Sequence, residues 1–389
     1  MIENNSGSTI FRPFTHIMEA TFIRRINRFL MECQLNGHII RAFLPNPGRL
    51  QELLFPGVSV YIVEEEDPKG RATSHTAIGV LRDGHPIMLH THKTNLVVRH
   101  LLEEGAIPGL EGARIVRQEV RVGHSRFDFL LNDGVGDIFL EVKSCTLVGR
   151  HVAMFPDAVT ARGARHLEGL AHLSADGTRA AVVFVIHWPL ASVFMPDYHT
   201  DLHFARTLLT VRESVQVIPL AVEWLPDFSL SRRTRLLDVP WPYIEREAHD
   251  RGSYLLILQL FEDIHLEVGR LGQVFFRKGF YIYVGSAMAN LTRRIERHRR
   301  LRKQMHWHID YLRPHGVVQT VLPIRSSDRL ECSLARSVKE ISEWSLEGFG
   351  CSDCSCDSHL FAMVDDPLQS PEFQKTLQHF RMDRYEPAG

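Results

Sequence analysis

A proline-rich basic stretch separates the chain into two parts and so limits the folds open to it. Four prolines lie in or beside this stretch: Pro219, Pro226, Pro240 and Pro242. Between them runs the basic segment 231–235, and proline interrupts both helices and the interior of sheets. We therefore predict a linker over residues 227–250. A chain of 389 residues corresponds to two or three domains at about 150 residues each.

Charge and composition narrow the class of protein. Lys plus Arg number 45 and Asp plus Glu 46, a net charge of -1, so any surface for a polyanion must be local. No run approaches the roughly 20 apolar residues that cross a bilayer, and the polar start 1–9 lacks the order of a signal peptide. The six cysteines do not resemble a disulfide framework. We expect a soluble, cytoplasmic protein with no membrane partner.

Strand-like runs and turn signals predict two domains before the linker. Residues 1–92 hold short β-like runs, which favour a small β barrel. Those runs are 38–43, 58–63, 75–81 and 86–90. From residue 93 to 226 the pattern changes to α-β-β-β-α-β-α-β, which predicts a mixed α/β domain. Its helical runs are 95–104, 157–172 and 201–213, and its strand-like runs are 114–122, 126–131, 137–143, 180–187 and 215–223.

A second α/β unit is predicted after the linker, over residues 251–366. Its strand-like runs are 253–260 and 279–284, and its helical runs are 290–302 and 329–345. Residues 367–389 are interpreted as a C-terminal tail. The whole chain is therefore predicted to be a multidomain protein of the mixed α/β (α+β) class.

The first chemical constellation combines two acids and an amine on neighbouring strands. Asp128 lies on one strand-like run, and Glu141 and Lys143 share one face of the next because they are two residues apart. Two hard oxygen donors suit Mg²⁺, and an adjacent lysine can orient water or offset phosphate charge. The alternative is a surface ion pair at an exposed sheet edge. Glu119 is either a third carboxylate or the ion-pair partner of Arg117 or Arg121.

The blocks around these residues resemble the sugar fermentation stimulation protein family over residues 12–225. The matching blocks are 44–50 (LPNPGRL), Asp128, 141–144 (EVKS), 155–163 (FPDAVTARG) and His166-Leu167. The resemblance implies an OB-type barrel, a PD-(D/E)xK nuclease-like domain and DNA binding. It places Asp128, Glu141 and Lys143 in the nuclease motif, with the two acids as metal ligands.

Three further residues of the first part are candidate phosphate contacts. They are Arg49, Arg162 and His166. For the last two, which are four residues apart on a predicted helix, the alternative is that they anchor the helix against the sheet.

The second constellation begins with a basic helix. Between residues 290 and 303 seven Lys or Arg stand against one acid, which suits a surface that follows a phosphate backbone. We therefore expect Arg293 and Arg297 to contact nucleic acid.

Residues 250–365 resemble the GIY-YIG endonuclease superfamily through a divergent uncharacterised family. The matching blocks are 279–287 (GFYIYVGSA), 306–312 (HWHIDYL) and 331–332 (EC). The resemblance implies that Tyr254 and Tyr283 are the motif tyrosines, Arg294 the cation that stabilises the transition state, and Glu331 the metal ligand. Two departures bear on activity: 252–254 reads GSY instead of GIY, and the two tyrosines are more widely separated than in compact members.

A cysteine-rich segment offers donors for another metal. Cys351, Cys354, Cys356 and His359 could supply the four ligands that zinc prefers, but they are crowded for one ion. We expect a structural loop here, with zinc as the weaker alternative.

Together these patterns predict a DNA-binding protein with Mg²⁺-dependent phosphodiesterase activity, on DNA or RNA. The alternative is a non-enzymatic DNA-binding regulator of sugar-metabolism genes that uses nuclease-like folds as platforms. Cleavage assays separate the two, because the regulator would bind nucleic acid without turnover.

Overall fold

The computed structural model describes residues 10–65, 73–123, 125–352 and 354–386. It divides into two compact units, one made of Met1–Pro196 with Thr207–Pro240 and the other of Asp197–Arg206 with Trp241–Gly389. Both are mixed α/β. Within the described ranges, no helix is long and apolar enough to cross a membrane.

An OB-like five-stranded barrel opens the first unit. Its sheet consists of β1 (Met18–Asn27), β2 (Leu30–Leu35), β3 (His38–Phe43), β4 (Ser59–Glu64), β5 (His75–Arg82) and β6 (His85–Met88). The strand order is β3-β2-β1-β4-β5-β6. A parallel pairing between β3 and β5, with Ala42 opposite His75, closes the first five strands into a barrel. Closure leaves no free edge among them.

The rest of the first unit is built on a six-stranded sheet. The elements up to the second helix are α1 (Thr94–Glu103), β7 (Arg114–Val122), β8 (Ser125–Asn132), β9 (Asp137–Cys145), β10 (Leu147–Val148), β11 (Val152–Phe155) and α2 (Ala161–Ala175). Those that follow are β12 (Arg179–Ile186), β13 (Val193–Pro196), β14 (Gln216–Trp224) and β15 (Leu230–Leu236). Between β13 and β14 lies α3 (Leu202–Val211), whose residues up to Arg206 are assigned to the second unit. The strand order is β15-β14-β12-β9-β8-β7, and β10, β11 and β13 form a small separate sheet.

Hydrophobic residues at every second position fix the hairpin of β8 and β9. Phe129 lies opposite Leu140 and Leu131 opposite Ile138, and all four are buried in one core with residues of α1 such as Val98. This alternation sets the register of the two strands. This register also places the two acids of the first constellation, because Asp128 directly precedes Phe129 and Glu141 directly follows Leu140.

Helix α2 begins later than the sequence pattern suggests. Helical periodicity predicts a start at Asp157, whereas Thr160 is the N-cap and its hydroxyl accepts from the Gly163 amide at 3.1 Å. The Asp157 carboxylate instead accepts from the Leu50 amide at 2.9 Å. The Asp157 carboxylate is thus directed toward the barrel loop, and the Thr160 hydroxyl supplies the capping oxygen of the helix.

The stretch predicted as a linker contains regular structure. Strand β15 pairs antiparallel with β14 at the edge of the six-stranded sheet, and helix α4 (Trp241–Glu247) begins directly after Pro240. An edge strand tolerates exposed arginines because only one of its sides pairs. Pro240 directly precedes α4 and Pro242 lies in its first turn, where a proline is compatible with a helix.

The second unit is organised around an antiparallel sheet. After α4 come β16 (Gly252–Leu260), β17 (Ile264–Glu267), β18 (Gln273–Phe276), β19 (Gly279–Ala287), α5 (Leu291–Arg299), α6 (His308–Leu312), β20 (Val317–Arg325), α7 (Glu331–Glu340), β21 (Trp344–Ser345), β22 (Leu360–Met363) and α8 (Pro371–Gln378). The sheet order is β20-β16-β19-β22-β21, and β17 pairs with β18 as a hairpin.

Both faces of this sheet are covered. Along β16, Leu256 and Leu258 join one core, while Leu255 and Ile257 join a second core on the other face. The second core also contains Phe373 of α8. Residues 367–386 thus include a packed helix, although the sequence pattern predicts a tail.

Gly252 is the residue whose backbone most restricts substitution at the start of β16. Its φ is 134°, and a Cβ added there would lie 2.7 Å from the Ser326 amide nitrogen. We expect Gly252→Ala to lower the free energy of unfolding of the second unit by about 3 kcal/mol, through strain and steric overlap together. The measurement is the shift in urea midpoint of the full chain.

Gly272→Ala is the matched control. Gly272 has a φ of 67° but open space where a Cβ would lie. Gly272→Ala should therefore lower the free energy of unfolding by only about 1 kcal/mol, through backbone strain alone. Equal losses in the two variants would contradict the steric argument.

Candidate active sites

The Asp128 carboxylate is held at the β8–β9 pairing by two donors. The Val142 amide donates to Oδ2 at 2.8 Å, and the Asn95 side chain donates to Oδ1 at 2.8 Å. One donor belongs to β9 and the other to α1, so strand pairing and helix packing together orient this acid.

Glu141 is a buried carboxylate with one satisfied and one unsatisfied oxygen. Only 3% of the residue is exposed. Its Oε1 lies 2.5 Å from Lys143 Nζ and 2.5 Å from His166 Nδ1. Its Oε2 is buried and has no hydrogen-bond partner among the described residues. A buried carboxylate oxygen without a donor is costly, and it is the kind of atom that a cation would satisfy.

The two acids have unlike proton affinities. Burial raises the pKa of Asp128, and the neighbouring charge of Glu141 raises it further. Burial also acts to raise the pKa of Glu141, but the hydrogen bond from His166 and the charge and hydrogen bond of Lys143 outweigh it, so the net pKa is lowered. Glu141 is therefore the firmly ionised member of the pair, and Asp128 is the one whose ionisation a nearby cation would favour.

A cleft of about 340 Å³ opens beside these residues. Lys143 and Asn95 line it, together with Arg28 and residues of the loops 46–48 and 156–160. A phosphodiester entering the cleft would therefore meet the lysine of the constellation.

Arg25 shapes the barrel loop that borders the cleft. Its guanidinium donates to the carbonyl oxygens of Gly48 at 2.7 Å and Arg49 at 2.6 Å. Burial lowers the pKa of Arg25, although the carboxylate of Asp157 opposes that shift. The side chain is therefore a structural cation, while Arg49 itself is exposed beside the cleft-lining Gly48.

The structure gives Arg162 and His166 different environments. His166 is 5% exposed and contacts Glu141, whereas Arg162 is exposed and its Nε lies 3.3 Å from His166 Nε2. This arrangement corresponds to the anchoring alternative for His166. Glu119 forms an ion pair at 2.7 Å with Arg126, and not with Arg117 or Arg121; both side chains of the pair are about half exposed.

The candidate tyrosines of the second unit are buried beside a histidine. Tyr254 Oη lies 2.7 Å from His298 Nε2, and the Tyr283 ring centroid lies 6.3 Å from that of Tyr254. Burial raises the pKa of Tyr254 well above its usual value, and burial, with the charge of Lys303, lowers the pKa of His298 to about 3. The tyrosine is thus protonated and donates to a neutral imidazole.

Arg294 and Glu331 meet around Ser286. The Ser286 hydroxyl donates to Glu331 Oε2, and the Arg294 guanidinium donates to the Ser286 carbonyl at 2.6 Å. The same guanidinium stacks on Trp307, 4.8 Å from the ring centroid. The Arg294 guanidinium and the Glu331 carboxylate are therefore both held at the end of β19, the strand that also carries Tyr283.

The basic helix contributes fewer free cations than its sequence indicates. Arg297 and Lys303 both pair with the fully buried carboxylate of Asp310, at 2.9 and 2.7 Å. Burial acts to raise the pKa of Asp310, but these donors lower it to about 2. Arg297 is therefore committed within the protein, whereas Arg293 is exposed.

Three of the four predicted zinc donors come together. Cys354, Cys356 and His359 lie with Cys332 of α7, and their ligand atoms are within 4.8 Å of one another. Cys351, the remaining predicted donor, instead directs its Sγ toward the Asp357 carbonyl oxygen at 3.6 Å.

Several residues of these sites escape sequence reasoning. They are Asn95, Ser286, His298, Asp310 and Cys332, each of which contacts the sites through tertiary packing. Asp310 carried a usable signal, because an acid between the apolar residues Ile309 and Tyr311 of a short helix requires a partner if it is buried.

The Glu141–His166 contact should be measurable as a coupling energy. We expect His166→Ala to lower the free energy of unfolding by about 1–3 kcal/mol, because it removes a donor from a buried carboxylate. In a Glu141→Gln background the same change should cost about 0.5–3 kcal/mol less. Urea unfolding of the four proteins closes the cycle. Arg165→Ala, at an exposed position of the same helix, is the control and should leave stability unchanged. Strict additivity would contradict the contact.

Comparison with known proteins assigns the segments of the chain. Three family models match: "SfsA N-terminal OB domain" over residues 23–89, "Sugar fermentation stimulation protein RE domain" over 92–228, and "Domain of unknown function DUF123" over 253–382.

Homologous proteins match half or more of this chain. A sugar fermentation stimulation protein homolog of Desulforamulus reducens is 39% identical over 221 residues, which is 57% of this chain and 92% of the relative. A homolog of Chloroflexus aurantiacus is 40% identical over 196 residues, 50% of this chain and 75% of the relative. The solved structure of Pyrococcus furiosus SfsA in complex with Ca²⁺ is 31% identical, covers 60% of this chain and 99% of its own, and has a TM-score of 0.55. The chain therefore belongs to the sugar fermentation stimulation protein family and carries in addition a DUF123 domain.

Proposed function

We propose that this protein is a metal-dependent phosphodiesterase that acts on nucleic acid, with DNA as the primary substrate. The observation that carries the proposal is the buried Oε2 of Glu141, for which the part of the chain that the structure describes supplies no hydrogen-bond donor. The charge of the Glu141 carboxylate raises the pKa of Asp128. Both acids lie next to a cleft that is lined by Lys143.

The donor set fits a hard divalent cation. Asp128 and Glu141 supply carboxylate oxygens, which are the ligands that Mg²⁺ and Ca²⁺ share. The related Pyrococcus furiosus SfsA was solved in complex with Ca²⁺, which supports a divalent cation in this chain too. Mg²⁺ keeps several positions for water and substrate phosphate, so two protein ligands are sufficient.

Each residue of the site has a definable part in the reaction. A divalent cation at the two carboxylates would supply positive charge for the phosphodiester transition state. Lys143, whose side chain is 14% exposed, can donate a hydrogen bond to a phosphate oxygen or orient an attacking water in the cleft. His166 keeps Glu141 in place from the α2 side. We assign the domain to the PD-(D/E)xK type because Asp128 and the Glu141–Lys143 pair occupy adjacent strands.

The DUF123 domain is proposed to be a GIY-YIG-like second phosphodiesterase site. Arg294 would stabilise phosphate charge, Glu331 would hold a divalent cation, and Tyr254 with His298 would relay a proton. The support is the convergence of Arg294 and Glu331 on Ser286 and the Tyr254–His298 hydrogen bond. We also propose that the protein acts in the cytoplasm, where its cysteines would stay reduced.

One observation favours a non-enzymatic regulator instead. Both Asp128 oxygens already accept hydrogen bonds, and Lys143 already pairs with Glu141. Because most of the polar groups of Asp128, Glu141 and Lys143 have partners within the protein, these side chains can keep their positions without a cation. A platform that only binds DNA would require this. The two functions differ in turnover and not in affinity.

Cleavage of labelled DNA in Mg²⁺ tests the first site. With the second site disabled by Arg294→Ala, we expect Glu141→Gln and Lys143→Ala each to lower the cleavage rate about 100-fold or more, because each removes a group that acts on the transition state. Asp133→Asn is the matched control, since Asp133 lies at the β8–β9 turn and pairs with Arg179. Retained DNA binding without turnover in Mg²⁺ or Mn²⁺ would favour the regulator.

The second site is tested in a Glu141→Gln background. We expect Arg294→Lys to lower the remaining cleavage rate about 10-fold or more, because lysine keeps the charge but not the planar donor pair. Arg293→Ala should instead weaken DNA binding and reduce its dependence on salt by about one unit of slope, with the rate at saturating DNA unchanged. Cleavage that is unaffected by Arg294→Lys would remove Arg294 from the site.

A further inference from the structure

We infer that Cys332, Cys354, Cys356 and His359 form a zinc site in the DUF123 domain. Their ligand atoms all lie within 4.8 Å of one another. Three thiol sulfurs and an imidazole are a Cys₃His donor set, which zinc binds tetrahedrally in structural sites. This inference is independent of the proposed phosphodiesterase function.

The distances match what one ion would require. Cys354 Sγ lies 3.5 Å from His359 Nε2. With Zn–S of about 2.3 Å and Zn–N of about 2.0 Å, two ligands of a tetrahedron are about 3.5 Å apart for sulfur and nitrogen and about 3.8 Å apart for two sulfurs. The Cys354–His359 distance therefore equals that of two ligands on one ion, and the 4.8 Å limit on the other pairs gathers all four ligand atoms around a single position.

The fourth ligand comes from a different element, and this resolves the crowding that the sequence spacing implies. Cys354, Cys356 and His359 lie in the segment that leads into β22, whereas Cys332 lies in the first turn of α7. A cation bound by all four would join the segment to the helix. This is how structural zinc sites stabilise pieces of chain that have little core of their own.

Ordinary core packing does not explain these cysteines. Cys33 and Cys145 are buried and lie singly, as free cysteines in a core usually do, whereas Cys332 is exposed and Cys354 and Cys356 are half-buried. Thiols gathered at a partly exposed position are instead suited to binding a soft or borderline cation. With three sulfurs and one imidazole, zinc is favoured over Mg²⁺ or Ca²⁺, which prefer oxygen.

The second nitrogen of His359 supports its role as a ligand. Nε2 faces the cysteines, and Nδ1 lies 3.5 Å from Glu331 Oε1 while the ring is buried. Histidines that bind zinc commonly direct their other nitrogen toward a carboxylate, which fixes the ring orientation. The backbone of His359 is fixed as well, because its amide donates to the Phe349 carbonyl at 2.8 Å.

The segment is shaped before any ion binds. The Gly348 amide donates to the Asp357 carbonyl at 2.8 Å, and Lys339 of α7 pairs with the Asp357 carboxylate at 2.5 Å. Gly348 and Gly350 have φ values of 74° and 77°, which glycine adopts readily. These contacts therefore hold the segment next to α7 at the position of the cysteine cluster.

Zinc content of the full-length protein tests the inference. The protein is produced with zinc in the medium, purified without chelator and analysed by elemental mass spectrometry. We expect about one zinc per chain, and at least a fivefold lower content in Cys332→Ser and in Cys356→Ser. Cys351→Ser is the matched control: its sulfur contacts a carbonyl outside the cluster, so its zinc content should equal that of the wild type.

A second measurement on the wild type covers the case in which the serine variants do not fold. Co²⁺ exchanged into the site should show the intense visible bands of tetrahedral thiolate coordination, and a mercurial thiol reagent should release one equivalent of metal. Wild-type protein that binds neither zinc nor cobalt would overturn the inference. So would a Cys351→Ser variant that loses as much zinc as Cys332→Ser, or a disulfide among the cluster cysteines in protein purified under reducing conditions.

Discussion

A carboxylate removed from water is the constraint around which the first unit is arranged. Burying an isolated Glu141 would cost several kcal/mol, and the protein offsets that cost with Lys143 from the same strand and His166 from α2. Both partners act on one oxygen, and the other oxygen has no donor among the described residues. Stability alone would favour an apolar residue at this position, and this incomplete pairing is the reason for the proposal that a cation completes it.

The DUF123 domain solves the same problem in a different way. The carboxylate of Asp310 is fully buried, but Arg297, Lys303 and the amides of His306 and Trp307 all donate to it. This acid is fully satisfied, and its lowered pKa follows from those donors. It therefore has a structural part: it fixes the chain before α6 and places Trp307, on which Arg294 stacks. Asp310 is therefore an acid that shapes a site, whereas Glu141 keeps an oxygen with which it could bind a cation.

The sequence was informative wherever local periodicity determines the structure. The bounds of β3 and β7 agree with their strand-like runs, and the two-residue spacing of Glu141 and Lys143 did put both on one strand. It failed where contacts are long-range. Strand β15 pairs at the sheet edge despite its arginines, and the fourth member of the cysteine cluster, Cys332, lies far from the others in sequence. Neither follows from a local pattern, because each depends on a partner that only the fold brings near.

The cysteine cluster and the candidate acid of the DUF123 domain share one helix end. Glu331 and Cys332 are adjacent, and successive residues on a helix point about 100° apart, so one reaches Ser286 while the other joins the cysteines. His359 contacts both, through Nδ1 and Nε2. An ion at the cluster would therefore hold Glu331 in place through His359. Loss of that ion should loosen the carboxylate as well as the segment 354–359, and so the cluster and the acid act as one unit.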